Sequence, residues 1–326
     1  MRILVVGGAG YVGSHCVRHL LRTGHEVKIY DNLSQGHEAA VPEGLLIKGD
    51  LHDTDKLKSV LSQNGIEAVF HFAARALVGE SVARPDIYYR TNVTGTLDLL
   101  DSMVATGVRK IVFSSTCAVF GVVESPISED LPKNPINPYG FTKLVIERAL
   151  TDYAAAFGLE VAVLRYFNAC GAADDASIGE DHDPESHLIP LVLQVALGQR
   201  PNVRIFGSDY PTPDGTCLRD YVHVDDLADA HLRVLNHTVP GKMVDFNLGT
   251  GVGVSVRQVI EAARRVTGLP IEAVEDARRP GDPARLMGNP AKAERELGWK
   301  AKFTDIEAVI RSAWTWHRAH PHGFAD

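Results

Sequence analysis

The sequence predicts an α/β protein: a doubly wound parallel sheet with a smaller mixed α/β domain at the C-terminus. Three observations carry that expectation. Short apolar runs alternate with stretches of helical periodicity through residues 3–164. The first run leads directly into a glycine triplet. After Asn168 the alternation stops, a polar stretch at 169–187 reads as a loop, and a less regular second half follows. The division expected is 1–168 for the first domain, rejoined by parts of 222–250, and 169–326 for the second.

Taken in order, Ile3–Val6 is an apolar run closed by glycines, the mark of a strand covered on both faces. Tyr11 to Arg22 reads as a helix stopped at Gly24, and Val27–Tyr30 as the second strand. Leu45–Ile47 reads as the third strand, Asp53–Gln63 as a helix and Ala68–Phe72 as the fourth strand. Val93, Leu97, Leu100 and Val104 recur at helical spacing. Lys110–Phe113 reads as a strand with Ser114-Ser115-Thr116 just beyond it, Tyr139–Phe157 as a long helix, and Val161–Leu164 as a strand. Right-handed crossovers between such units build a Rossmann-type sheet. Glycines and prolines cluster at 198–215, with a turn at Pro213-Asp214-Gly215.

The chain has 326 residues, 45% of them hydrophobic and 23% charged. At roughly 150 residues per domain, that length suggests two domains or one large α/β unit with an appendage. A net charge of −8 argues against nucleic acid or an anionic membrane as a partner. Cys16, Cys117, Cys170 and Cys217 are scattered, with no C-x-x-C pair, so a reduced, cytoplasmic chain is expected. No apolar run approaches the ~18 residues that span a bilayer. His317, His320 and His322 lack regular ligand spacing, and no metal site is expected.

Gly7, Gly10 and Gly13 follow the first strand and open the first helix. Glycines there allow a tight turn and let a diphosphate approach the helix N-terminus, with Tyr11 and Val12 in its first turn. Asp31 closes the second strand, where a carboxylate can accept from the hydroxyls of an adenosine ribose. Asn32, Leu33 and Ser34 offer no cation for a 2′-phosphate, so the residues point to NAD rather than NADP. Asp50, beside Leu51, ends the third strand and either faces the adenine or caps its own turn. Tyr139 and Lys143 stand four apart on one helix face. An ammonium near a phenol favours the phenolate and makes Tyr139 a usable base, and Thr116 would face the same crevice. On the residues alone, the pair also reads as a helix-surface contact, the Ser/Thr cluster as a turn cap, and Arg219 and Arg279 as surface charges.

The segments DNLSQGH (31–37), HFAARALVGESV (71–82), FSSTCAVFG (113–121), NPYGFTK (137–143), LRYFNACGA (164–172), DGTCLRDYVHVDDLA (214–228), FNLGTGVGVSV (246–256), RRPGDPA (278–284) and WTWHRAHPHGF (314–324) resemble the UDP-glucose 4-epimerases of the extended short-chain dehydrogenase/reductase superfamily. The resemblance spans nearly the whole chain. It implies tightly bound NAD, regenerated in each turnover, and a UDP-hexose substrate oxidised at C4, turned as the 4-keto sugar and reduced on its other face. It implies Tyr139 as base, Thr116 as its helper, and Lys143 as holder of the nicotinamide ribose and tuner of Tyr139. Phe72, Ala73, Ala74, Asn92, Ser114 and Tyr166 would join the glycine loop around NAD. Asn168, Leu188, Phe206, Arg219, Tyr221, Arg279 and Asp282 would hold UDP, with His187 near the uracil. A homodimer through helices near 85–105 and 139–157 is implied as well.

The chain departs from the pattern in places. Ala76 stands where many relatives carry Lys, Phe120 where Tyr is common, and Leu286 where a bulky Tyr restricts some relatives to non-acetylated sugars. UDP-N-acetylhexosamine, UDP-pentose or UDP-uronate therefore stay open as substrates, with Arg285 near the sugar for a uronate. A 4,6-dehydratase would need Asp-Glu after Thr116, where Cys117-Ala118 stand. A catalytically silent NAD-sensing regulator on the same fold would lack the Tyr or the Lys, and both are present.

Overall fold

The computed structural model describes residues 1–123, 126–279 and 281–325. Its strands are β1 (Arg2–Val6), β2 (Glu26–Asp31), β3 (Leu46–Lys48), β4 (Ala68–His71), β5 (Lys110–Thr116), β6 (Glu160–Tyr166), β7 (Asn168–Cys170), β8 (Val203–Phe206), β9 (Leu218–His223), β10 (Lys242–Leu248), β11 (Gly253–Ser255), β12 (Ala273–Asp276) and β13 (Arg285–Leu286). Its helices are α1 (Tyr11–Arg22), α2 (Thr54–Gln63), α3 (Val78–Ala83), α4 (Pro85–Tyr88), α5 (Gly95–Thr106), α6 (Pro138–Phe157), α7 (Leu188–Ala196), α8 (Val224–Val234), α9 (Val256–Thr267), α10 (Ala291–Leu297) and α11 (Ile306–Ala319).

Seven parallel strands form the large sheet in the order β10-β6-β5-β4-β1-β2-β3. Both faces are covered. One face packs the alternate β1 residues Ile3 and Val5 against Val17 and Leu20 of α1 and Leu227 and Val234 of α8. The other packs Leu4 and Val6 against Leu57 of α2, Leu99 and Met103 of α5, and Ile146 and Leu150 of α6. This double covering is why the strands read as continuous apolar runs rather than alternating ones. Residues 224–248 return to this sheet, α8 lying across α1 and β10 pairing with β6. A second core gathers α7, α9, α11 and the short strands β8, β9, β11 and β12 around Val192, Leu193, Val259 and Ile310.

Several elements differ from the sequence reading. β5 runs to Thr116, so Ser114-Ser115-Thr116 belong to the strand, opposite Leu164, Arg165 and Tyr166 of β6. Pairing with a neighbouring strand extends β5 beyond its apolar run. Asp53 is not the first helical residue of α2 but its cap, accepting from Lys56 N at 3.1 Å. The helix expected around Val93 is a π-helical turn at 89–94 continuing into α5, the kind of irregularity that gathers near functional sites. The 169–187 loop begins with β7, which pairs with β9.

α6 is tied to the sheet by charge as well as by apolar packing. Arg165 of β6 is fully buried and donates two hydrogen bonds, both 2.8 Å, to the Glu147 carboxylate of α6. It also meets Asp245 of β10 at 2.8 Å, and Lys292 of α10 meets that same carboxylate at 2.8 Å. Glu147→Ala would leave a buried guanidinium with only part of its compensation. It should destabilise the protein by about 3 kcal/mol in urea unfolding, the low end of the range for a broken buried pair because Asp245 remains.

Candidate active site

At the C-terminal ends of β1 and β4 the strand order switches direction, and a cleft of about 310 Å³ opens there. The chain after β4 is drawn against the end of β1, with Phe72 N and Ala73 N donating to Val6 O at 2.8 and 3.1 Å. Gly7 has φ of +78°, and a Cβ on it would stand 2.3 Å from Ala73 N. A Cβ on Gly13 would stand 2.2 Å from the Gly7 carbonyl oxygen. These two glycines are therefore demanded by the protein's own packing. At Gly10 a Cβ would meet nothing nearer than that same oxygen at 3.5 Å. Gly10 lines the cleft, and α1 has neither a side-chain cap nor an acidic residue in its first turn. A bare helix N-terminus at the mouth of a cleft is what a dinucleotide's diphosphate requires, so the residues present fit NAD.

Asp31, Asn32, Ser34, Asp50 and Leu51 line this cleft with Phe72, Ala73 and Ala74. Asp31 accepts from Ala9 N at 3.0 Å and Leu33 N at 2.9 Å, so it shapes the glycine loop while keeping acceptor capacity on both oxygens. Burial raises its carboxyl above the ordinary value despite those bonds. Asp50 accepts from Asn32 Nδ2 at 2.8 Å and His52 N at 3.0 Å, so it both caps its turn and faces the cleft. Gln35, His52, Arg75 and Thr91 also line the cleft and were missed by sequence reasoning. His52 and Arg75 could have been found as the residues next in line at two strand ends. Thr91, in the π turn, carries no sequence signal.

Other expected contacts face elsewhere. The Tyr11 hydroxyl donates to Gly171 O at 2.6 Å, so only its backbone faces the glycine loop. Val12 packs into the core beneath. The Asn92 amide accepts from Arg75 N at 2.8 Å and donates to Arg75 O at 3.0 Å and Thr142 Oγ1 at 3.2 Å. It pins the segment after β4 to α6. The Tyr166 hydroxyl meets His231 Nε2. Because Nδ1 of that ring lies 2.8 Å from Leu227 O, the ring is assigned as donor there and acceptor toward Tyr166.

The Thr116 hydroxyl, at the end of β5, lies close enough to the Tyr139 phenol, in the first turn of α6, to favour its ionised form. Asn137 caps α6 by accepting from Gly140 N at 2.8 Å, and Pro138 occupies the first turn, which sets the start of the helix and so the place of Tyr139. Lys143 Nζ donates to Ser114 O at 2.8 Å and lies 4.7 Å from the centre of the Phe113 ring. The expected lowering of the Tyr139 phenol by Lys143 is not seen in the chain alone. Burial pushes Tyr139 up to about 12, against the pull of the nearby Thr116 hydroxyl, and pushes Lys143 down to about 7, against the pull of Glu147. Burial outweighs pairing because both groups lose their hydration.

In the second lobe further expected residues pair with one another. Asn168 of β7 lies opposite Tyr221 of β9 and donates to Asp220 O at 2.9 Å. Arg219 is paired with Asp282 and donates to Pro283 O at 2.9 Å, so part of its donor fork is already engaged. The Arg279 guanidinium lies 4.0 Å from the centre of the Phe206 ring. Leu286 of β13 lies opposite Arg219 and packs with Val119, Phe120 and Ile127. Leu188 opens α7. His187 turns its Nδ1 toward Glu180 and Glu185, at 2.8 and 3.1 Å. Pro280 of the 278–284 motif lies outside the described residues.

The matching family model, NAD dependent epimerase/dehydratase, covers residues 3–249. The chain belongs to this family. A UDP-glucose 4-epimerase of Halalkalibacterium halodurans is 51% identical over 327 residues, covering 100% of this chain and 98% of that protein. Among solved structures, a Brucella ovis UDP-glucose 4-epimerase in complex with NAD has a TM-score of 0.93 at 46% identity, over 96% of this chain and 97% of that one. A Bifidobacterium longum UDP-glucose 4-epimerase in complex with NAD+ and UDP has a TM-score of 0.93 at 40% identity, over 99% and 100%. These family members share the whole length of the chain, both lobes included.

The buried lysine yields a test on NAD-free protein. Its folded pKa lies below the unfolded value of about 10.4, so between pH 7 and 10 the unfolded chain binds more protons, and stability rises with pH across that window. Lys143→Met should flatten that rise and stabilise the NAD-free protein at pH 6, as measured by urea unfolding.

Proposed function

We propose that this chain is a UDP-glucose 4-epimerase, interconverting UDP-galactose and UDP-glucose with NAD as a resident cofactor. The reading is carried by Thr116 at the end of β5 and by Tyr139 and Lys143 on α6, which Lys143 Nζ ties to the same strand through Ser114 O, in a fold whose glycine-loop cleft fits a dinucleotide. NAD, when bound, supplies a reversible hydride acceptor and a positive charge next to the sugar. Tyr139 takes the proton from the sugar 4-hydroxyl, and the nearby Thr116 hydroxyl steadies the phenolate. Ser114 O holds the Lys143 ammonium in place beside the ribose of the nicotinamide. Arg219 and Arg279 hold the diphosphate, and Asn168, Leu188, Phe206, Tyr221 and Asp282 hold the uridine, with His187 near the base. The 4-keto sugar turns while its UDP stays held, and Tyr139 returns the proton to the 4-oxygen. Residues 1–168 with parts of 222–250 form the NAD-binding domain in this reading, and the rest of 169–326 forms the UDP-sugar domain.

The residue after Thr116 disfavours a dehydrating chemistry. Cys117 is buried with its thiol pushed up to about 12 by burial, so it is a poor acid or base near neutral pH. Leu286, smaller than Tyr, favours a wider sugar range that includes N-acetylated hexoses. Purified protein given UDP-galactose without added NAD should form UDP-glucose, and UDP-N-acetylgalactosamine should turn over at a comparable rate. Tyr139→Phe should lower turnover by roughly 10²–10⁴-fold while NAD binding is retained. Absence of product with and without added NAD, or an active Tyr139→Phe protein, would overturn the assignment.

A homodimer built on the helices near 85–105 and 139–157 belongs to the same proposal. Tyr89 and Phe141 are exposed there with ring centres 6.4 Å apart, an apolar pair suited to a helical interface. Light scattering should give twice the 35.4 kDa of one chain. The four cysteines are free and buried, which suits the cytoplasm, and no helix among the described residues is long and apolar enough to cross a membrane.

A further inference from the structure

Residues 171–187 join β7 to α7 without a helix or strand of their own. Loops of that length in a compact lobe are uncommon unless functional or held in place. Four side chains of this loop converge: Glu180, His182, Glu185 and His187, with one donor atom from each lying within 4.8 Å of all the others. His187 Nδ1 is 2.8 Å from Glu180 Oε1 and 3.1 Å from Glu185 Oε1. His182 Nδ1 is 3.3 Å from Glu180 Oε1 and 3.7 Å from Glu185 Oε2. Zinc–ligand bonds of about 2.0–2.1 Å in a tetrahedron place neighbouring donors about 3.3 Å apart, in the middle of that spread.

A second observation sets this cluster apart from a surface group of charges. Glu180 is 4% exposed, and its Oε1 is met only by ion-pair contacts within the cluster, with no aligned hydrogen bond; the buried Nδ1 of His182 has no aligned bond either. Two buried polar atoms thus approach each other without hydrogen-bond alignment, as donors around a common centre do.

We propose that Glu180, His182, Glu185 and His187 form a binding site for a single divalent transition cation of the zinc type. Two neutral imidazoles and two carboxylates balance the charge of such an ion, and this donor set favours it over magnesium or calcium. Tyr11 of α1, Cys170 of β7 and His317 of α11 are the titratable groups that face the cluster from neighbouring elements.

The ion clips the loop at both ends of its turn. His187 precedes Leu188, the first residue of α7, and the His182 ring meets the Tyr11 ring edge-on at 6.0 Å. The cluster thus stands between the start of the glycine-loop helix and the start of a helix of the second lobe. Its role is structural; the expectation of no metal was weighed on the C-terminal histidines, and the E-x-H-x-x-E-x-H spacing at 180–187 lies outside them.

Chelator-treated full-length protein should take up one Zn²⁺ per chain and retain it through gel filtration. Its thermal unfolding should shift upward with Zn²⁺ and not with Mg²⁺. Co²⁺ should give the intense visible absorption of a four-coordinate site, and both Zn²⁺ uptake and that absorption should be lost in Glu180→Gln/His182→Gln. Retention of no Zn²⁺ by the unmutated protein, a Co²⁺ spectrum no stronger than that of the hydrated ion, or equal uptake by the double variant would overturn the proposal. The cobalt spectrum and zinc retention of the unmutated chain decide the matter even if the variant does not fold.

Discussion

The Arg165 guanidinium lies fully buried between Glu147 of α6 and Asp245 of β10, and the positions of the reactive side chains depend on that pairing. Glu147 follows Lys143 by one helical turn, so holding Glu147 against β6 orients the helix face that carries Lys143. The same carboxylate accepts from Ser115 Oγ at 2.7 Å, which ties it to β5 beside the strand's terminal Thr116. A charge removed from water must be matched by partners in fixed directions, and this requirement locks two strands and a helix into one register.

Two environments lie side by side in consequence. The cleft along β1, β2 and β3 is open, with Asn32, Asp50 and His52 in contact with one another at its rim. The Thr116–Tyr139–Lys143 set is more enclosed, with Thr116 and Lys143 buried and Tyr139 half-buried, and loss of water moves the phenol up and the ammonium down. A buried phenol at about 12 gives up its proton only where a positive charge stabilises the phenolate. Reactivity therefore depends on a positive charge being brought beside the phenol.

Much of the first domain was legible in the sequence. The apolar runs of β1, β2 and β4, the span of α1 and the long helix from Tyr139 follow from periodicity and from glycine and proline punctuation, which act locally. The boundary of β5 was misread because Ser114 and Thr116 are polar, and only pairing with β6 makes them strand. The π turn at 89–94 and the amide of Asn92 were illegible for a related reason: their hydrogen bonds run to Arg75 and to Thr142 of α6.

The sequence by itself determined the alternation of strands and helices, the glycine loop and the Tyr139–Lys143 pair, because each is written in spacings of a few residues. Tertiary structure decided which of those residues face a ligand and which face the protein. Asn92 and the Tyr11 side chain turned inward, and Arg219 met Asp282 from 63 residues away. Burial energies and ion pairing depend on neighbours brought from far along the chain, and no local spacing encodes how much water they exclude.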